Sequence, residues 1–174
     1  MYYNKFQKIV NLYSIMLNSK KLIGYKSKFK DKWTLWFHNF FDTNWNIDSY
    51  QKIYTFSNIF DFWRVYNNHY SLKSGMYFLM KNNINPIWED KNNKNGGYWS
   101  IKISKNVEQY WLNMSINLIN NDLDKNNNIN GISISYKKHY YIIKIWINNL
   151  EKNNLDNINI SNNIKNNIIF NKYK

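Results

Sequence analysis

The apolar residues of this chain change period from one segment to the next, and the changes mark out its elements. Phe6, Ile9, Val10, Tyr13, Met16 and Leu17 fall at helical spacing and predict an amphipathic helix over 2–17. A lysine-rich connector follows, from Lys20 to Lys32. Residues 33–41 are dense in strand-favouring aromatics. Ser57 is placed to cap a helix over 57–69, in which Ile59, Phe62, Trp63 and Tyr66 recur at three or four. Strands are expected over 76–81 and 98–104, and a helix over 106–121 through Val107, Tyr110, Trp111, Met114 and Leu118. Residues 131–147 read as a hairpin with a basic, aromatic tip at 136–141. A short helix within 150–167 and a strand at 168–170 complete the series. Strand runs interspersed with two or three helices make the fold class α+β.

The length of 174 residues fits one domain with one hydrophobic core, and neither an internal repeat nor a domain linker interrupts it. Cysteine is absent, which removes disulfides and thiolate metal sites. No apolar run approaches the ~20 residues that span a bilayer, and no secretory leader pattern opens the chain. Charge changes the picture more. There are 24 basic against 11 acidic residues, a formal charge of +13, and Arg64 is the lone arginine. Such a balance favours a polyanionic partner, nucleic acid or an anionic surface. Alanine is missing while Asn, Ile and Lys abound, as an A/T-rich genome (a parasite's or a large virus's) would produce. On that reading the Asn-rich segments are drift.

The candidate chemistry lies at 86–99, Pro-Ile-Trp-Glu-Asp-Lys-Asn-Asn-Lys-Asn-Gly-Gly-Tyr-Trp. An indole face beside a carboxylate can stack a flat cationic base and accept its edge N–H groups together. Trp45 and Trp88 lie in polar, loop-like surroundings, whereas Trp33, Trp36, Trp99 and Trp111 read as core. Asp90 reads as a structural carboxylate. Gly96-Gly97 reads as a tight turn with φ > 0 and lacks the ending of a phosphate loop. His38, His69 and His139 have no metal-ligand spacing, and no nucleophile–base arrangement appears, so neither metal, cofactor nor catalysis is expected.

The stretch Pro86-Ile87-Trp88-Glu89-Asp90 with Gly96-Gly97 and Trp99 resembles the cap-contacting loop of the translation initiation factor 4E family. Other segments match in the same order: Trp33-Thr34-Leu35-Trp36-Phe37, Asp61-Phe62-Trp63 with Tyr66-Asn67, Trp111-Leu112, and Ile143-Lys144-Ile145-Trp146. The resemblance covers roughly 33–147. It implies a curved antiparallel sheet cupped over the ligand, with about three helices on the convex face. It also implies that Trp45 and Trp88 sandwich N7-methylguanine, the 5′ cap of mRNA. Glu89 would accept from the guanine N1–H and N2–H₂, a loop N–H would serve O6, and Trp146 would touch the methyl group. The phosphate set departs from the family, because Tyr98 and Ile142 stand where basic residues are usual. Lys137, Lys138 and Lys144 are the candidates left. Ile59, Trp63 and Leu112 match the family's docking patch for a scaffold or repressor helix. Tyr136, Tyr140 and Tyr141 are candidates for stacking the first transcribed bases.

The resulting expectation is a single non-enzymatic domain over 1–174: an N-terminal helix and basic connector at 1–32, a core at 33–147 and a shortened segment at 148–174. Its ligand is capped mRNA and its protein partner a scaffold factor, and it acts as a cytoplasmic monomer, in a host's cytoplasm for a viral protein. Three other readings stand beside it. One is a cap-binding competitor that represses translation. Another is a general single-strand RNA binder using basic and aromatic side chains. The third is a peripheral membrane protein held by the N-terminal helix and lysines.

Overall fold

The computed structural model describes residues 28–68, 71–124, 126–165 and 168–173. The helix expected over 2–17 and most of the basic connector lie outside these residues, as does His69. Seven strands form one antiparallel sheet: β1 (Lys28–Asn39), β2 (Tyr50–Asn58), β3 (Gly75–Lys81), β4 (Gly97–Ile103), β5 (Ile129–Lys137), β6 (Tyr140–Ile147) and β7 (Ile168–Lys172). Their spatial order is β2-β1-β3-β5-β6-β4-β7.

Two full helices, α1 (Ile59–Asn67) and α2 (Val107–Ile119), join a single-turn α3 (Asn162–Lys165) among the described residues. About three helices was therefore slightly too many, because 150–167 breaks into 3-10 turns at Leu150–Lys152 and Leu155–Asn157 before α3. Asn side chains cap both turns, Asn149 accepting from the Glu151 N–H and Asn154 from the Asp156 N–H. The cap of α1 is Asn58 rather than Ser57. Its Oδ1 accepts from the Asp61 N–H at 2.9 Å while its Nδ2 donates to the Asp61 carboxylate at 2.7 Å, a reciprocal box one residue further on.

Strand β2 was not expected. Leu35 pairs with Tyr54 but Trp36 pairs with Lys52, so Ile53 is an extra residue in the ladder. That bulge breaks the period of two by which a strand is read, and the strand is an exposed sheet edge besides.

Because side chains alternate along a strand, the sheet has two distinct faces. Trp33 and Leu35, Leu79, Ile132 and Ile134, Ile143 and Ile145, and Ile101 point to the face that α1 and α2 cover, and pack there with Phe62, Trp111 and Leu118. The opposite, open face carries a smaller cluster of Tyr50, Phe78, Met80, Ile84, Trp146 and Tyr173, flanked by Trp36 and Tyr98. Trp33 and Trp111 are core as expected. Trp36 is not, since it lies half-buried on the open face with Lys52 Nζ 5.9 Å from its ring centroid.

Candidate functional site

Two loops reach the open face from opposite ends of the sheet. The first joins β1 to β2 and carries Trp45, whose side chain is 54 % exposed. Behind it lies His38, fully buried, with its imidazole stacked on the indole at 4.5 Å between centroids and 6° between planes. His38 Nε2 bonds to the Asn44 carbonyl at 2.8 Å, which fixes ring and loop together. One face of Trp45 is thus occupied by the protein and the other is left outward. Tyr50 backs His38 in turn, 4.5 Å away.

The second loop runs from β3 to β4 and carries Trp88, 51 % exposed, and the exposed Glu89. Its shape rests on amides and one carboxylate. Asp90 accepts from the Asn85 N–H at 3.0 Å, and from the N–H and Nδ2 of Asn92 at 2.9 Å each, so it is structural as expected. Asn93, fully buried, donates to the carbonyls of Asn85 (2.9 Å) and Ile87 (2.7 Å). Its Oδ1 accepts from Asn130 Nδ2, which also donates to the Asn92 carbonyl at 2.8 Å. This clamp pins the loop to the start of β5, so these Asn residues are structural members and not drift. Gly96 and Gly97 do not use positive φ. A Cβ on Gly96 would meet the Ile147 carbonyl oxygen at 1.7 Å, and one on Gly97 the Asn171 oxygen at 2.4 Å. Close strand approach, not turn geometry, is what demands glycine there.

The two loops communicate at Tyr50. Burial, with the charge of Glu89 adding to it, pushes the Tyr50 phenol up to about 12. Tyr50 is therefore the neutral hydroxyl that lies within electrostatic reach of Glu89 while backing the His38–Trp45 stack. From Tyr50 an aromatic floor runs across the sheet through Phe78 (5.4 Å), Trp146 (6.0 Å) and Tyr173 (5.6 Å) to Tyr98 (5.6 Å). Trp146 is buried in that floor, and its Nε1 donates to Ser133 Oγ at 2.9 Å. Sequence reading set His38 aside for want of metal-ligand spacing and passed over Tyr50, because a lone buried histidine and a strand tyrosine carry no spacing signal.

The basic candidates separate by position. On β6, Trp146, Lys144, Ile142 and Tyr140 point to the open face, opposite Tyr98, Ser100 and Lys102 of β4 for the first three. Lys144 Nζ sits 4.0 Å from the Tyr98 ring centroid, so its ammonium lies over the ring of the neighbouring strand. Burial and then the neighbouring Lys137 charge lower the Lys144 pKa. Lys137 and Lys138 are exposed in the β5–β6 turn, Lys138 at φ 54°. Lys102, which sequence reading passed over, lies on the same face with Nζ 4.3 Å from the Tyr140 ring.

Two expected groupings fail. Tyr136, Tyr140 and Tyr141 do not share a face. Tyr136 pairs with Tyr141 on the helix-bearing side, where the rings are 5.0 Å apart, Phe40 adjoins Tyr136 and the Glu108 charge acts on Tyr141. Only Tyr140 faces the floor, since strand alternation separates neighbours in sequence. Nor do Ile59, Trp63 and Leu112 form an exposed patch. Trp63 is 7 % and Leu112 5 % exposed, both within the main core, and Ile59 is only partly buried against it. Helical spacing turns 63 and 112 inward with Phe62 and Trp111, and the outward apolar residue of α1 is Phe60, 62 % exposed. The Trp63 Nε1 has no acceptor among the described residues.

The model of the family described as "Eukaryotic initiation factor 4E" matches residues 28–173. The chain belongs to that family. It is 30 % identical over 158 residues to eukaryotic translation initiation factor 4E of Candida albicans, covering 82 % of this chain and 75 % of that protein. Factor 4E1 of Drosophila melanogaster is 34 % identical over 131 residues, 70 % of this chain and 50 % of that one. The chain thus spans half to three-quarters of the length of these two relatives. Among solved structures, Ascaris suum eIF4E-3 with m7G cap superposes with a TM-score of 0.63 at 26 % identity, over 70 % of this chain and 73 % of that one. The complex of C. elegans eIF4E-3 with the 4E-binding protein Mextli and cap analog gives 0.66 at 23 %, over 72 % and 76 %, a likeness of fold. No helix among the described residues is long and apolar enough to cross a membrane.

Proposed function

We propose that this protein binds the N7-methylguanosine 5′ cap of mRNA and recruits the transcript for translation through a scaffold protein. Binding, not catalysis, is its role. The observation that carries the reading is the pair of half-exposed tryptophans, one on each loop, with Glu89 beside one of them and within electrostatic reach of the Tyr50 that backs the other.

Methylation at N7 makes guanine cationic, and each indole face then contributes a cation–π attraction, about 2 kcal/mol or more when desolvated. Trp45 and Trp88 supply those faces in the proposal. Glu89 accepts from the two parallel N–H donors of the Watson–Crick edge, a geometry adenine does not offer, worth ~1–3 kcal/mol of discrimination. The edge of Trp146 meets the methyl group. Lys144 holds the triphosphate, with Lys137 and Lys138 adding positive field from the turn beyond it, and a desolvated ammonium with no carboxylate partner among the described residues is suited to that task. Scaffold recruitment falls on the outer side of α1, centred on Ile59 and Phe60, with the buried Trp63 and Leu112 side chains supporting it from within. The chain acts as one cytoplasmic domain.

Retention on an m7GTP resin tests the reading. Release by free m7GTP and not by GTP supports it, and release by both alike sinks it in favour of general RNA binding.

A further inference from the structure

The open face continues past the cap site as a ladder of matched rows. The Trp146 row contains Tyr98, the Lys144 row Ser100 and Ser133, the Ile142 row Lys102 and Ser135, and the last row Tyr140 and Lys137. At ~3.4 Å per residue and two residues per row, each row lies roughly 7 Å beyond the one before. Two lysines of this ladder lean in opposite directions. Lys144 folds back over Tyr98, toward Trp146, while Lys102 folds forward over Tyr140, toward the turn. Among the described residues neither ammonium has a carboxylate partner, and both rest on tyrosine rings. A phosphate can displace such a contact without breaking an ion pair. Ile142 separates the two positions, so they form two anion sites and not one.

We infer that Lys102 and Tyr140 form a second subsite, for the first transcribed nucleotide of capped RNA, with Lys102 on its phosphodiester and Tyr140 stacked on its base. The inference rests on the cap reading above for its direction: the chain leaves the triphosphate at Lys144 and runs along β6 toward the hairpin tip. Tyr140 qualifies where Tyr136 and Tyr141 do not, because it alone of the three is on this face. An aromatic surface accepts any base, so this subsite adds affinity for RNA without reading sequence.

The test compares m7GTP, a capped five-nucleotide RNA, and the same RNA with an uncapped 5′ triphosphate, on wild type, Lys102→Ala, Lys102→Arg and Tyr140→Ala. Wild type is expected to bind capped RNA at least roughly fivefold tighter than m7GTP, the lower end for one stacked base. Tyr140→Ala should erase that ratio, and both alanine variants should hold m7GTP within about twofold of wild type, as positions beyond the cap site require. Lys102→Ala should also flatten the log affinity–log salt slope for capped RNA by ~0.7, one single-strand phosphate contact, and Lys102→Arg should restore it. Equal wild-type affinity for m7GTP and capped RNA, or an unchanged slope in Lys102→Ala, overturns the subsite and leaves the cap reading intact. The opposite pattern, m7GTP bound no better than GTP while Lys102→Ala still weakens the uncapped RNA, overturns the cap reading and keeps an RNA track.

Discussion

Asn93→Ala should damage stability and cap affinity together, although the residue faces no ligand. The fully buried amide donates to two carbonyls of its own loop, Asn85 and Ile87, and accepts from Asn130. Alanine removes all three bonds. At about 0.5–1.5 kcal/mol each, with both carbonyls then left short of a donor, the loss comes to about 2–4 kcal/mol. Asn130 keeps its bond to the Asn92 carbonyl, which limits the damage on that side. The Ile87 carbonyl immediately precedes Trp88, so the loop that presents Trp88 and Glu89 loses its shape as well. Urea denaturation with unchanged slope should report the stability term, and m7GTP titration should show binding at least about fivefold weaker. Asn130→Ala, which removes two of the same network's bonds, should be non-additive with Asn93→Ala by more than about 0.5 kcal/mol. A stability change below about 0.5 kcal/mol with wild-type affinity would show that the amide clamp does not hold this loop.

Other outcomes follow from single contacts. Gly96→Ala places a methyl against the Ile147 carbonyl, backbone on backbone, and should cost about 3 kcal/mol in a thermal melt, whereas a neutral result would refute the close approach. Trp63→Ala should destabilise by about 3–5 kcal/mol because the ring is core, so loss of scaffold binding in that variant is no evidence of contact; Phe60→Ala, by contrast, should leave urea stability within about 0.5 kcal/mol while weakening capture of a scaffold peptide. Tyr50 should ionise near 12 in ultraviolet titration, and Glu89→Gln should bring it down. Its folded pKa exceeds the unfolded value, so its contribution to stability is complete below about 10 and is lost as pH rises toward 12. Lys144→Met should raise stability by up to about 1 kcal/mol, because it removes a desolvated charge beside Lys137, and should weaken m7GTP binding; lowered stability would contradict the burial cost assigned to that ammonium.

Periodicity revealed most of the fold because most of its elements bury one face. Alternation in Ile132–Ser135 and Ile143–Ile147 separates the helix-covered face from the open one, and the observed hairpin follows it. It failed at β2, where the extra residue Ile53 shifts the register, and at the 150–167 segment, where Asn149 and Asn154 each cap the start of a separate short turn. Trp45 and Trp88 stood out as candidates because large aromatics in polar loops are conspicuous, and Glu89 because it adjoins one of them. The residues that support them did not. Asn93 looks like any other Asn in a chain rich in them, and its importance comes from burial. Positive φ at Asn83, Asn106, Asn121 and Asn127 shows the same residue serving where glycine is more usual, since its short polar side chain tolerates the left-handed region. The direction of a side chain also escapes composition, which is why three tyrosines near one turn read as a group although the pleat divides them.

The central claim is that a methylated, cationic base is held between indole faces, and calorimetric titration of m7GTP against GTP tests it most directly. Each cation–π face at about 2 kcal/mol contributes roughly 30-fold, so wild type should prefer m7GTP over GTP by at least that much, and Trp88→Ala, which leaves only the Trp45 face, should cut the preference by roughly 30-fold while leaving the weak GTP affinity nearly unchanged. Equal binding of m7GTP and GTP by the wild-type protein, or an undiminished preference in Trp88→Ala, would contradict the account.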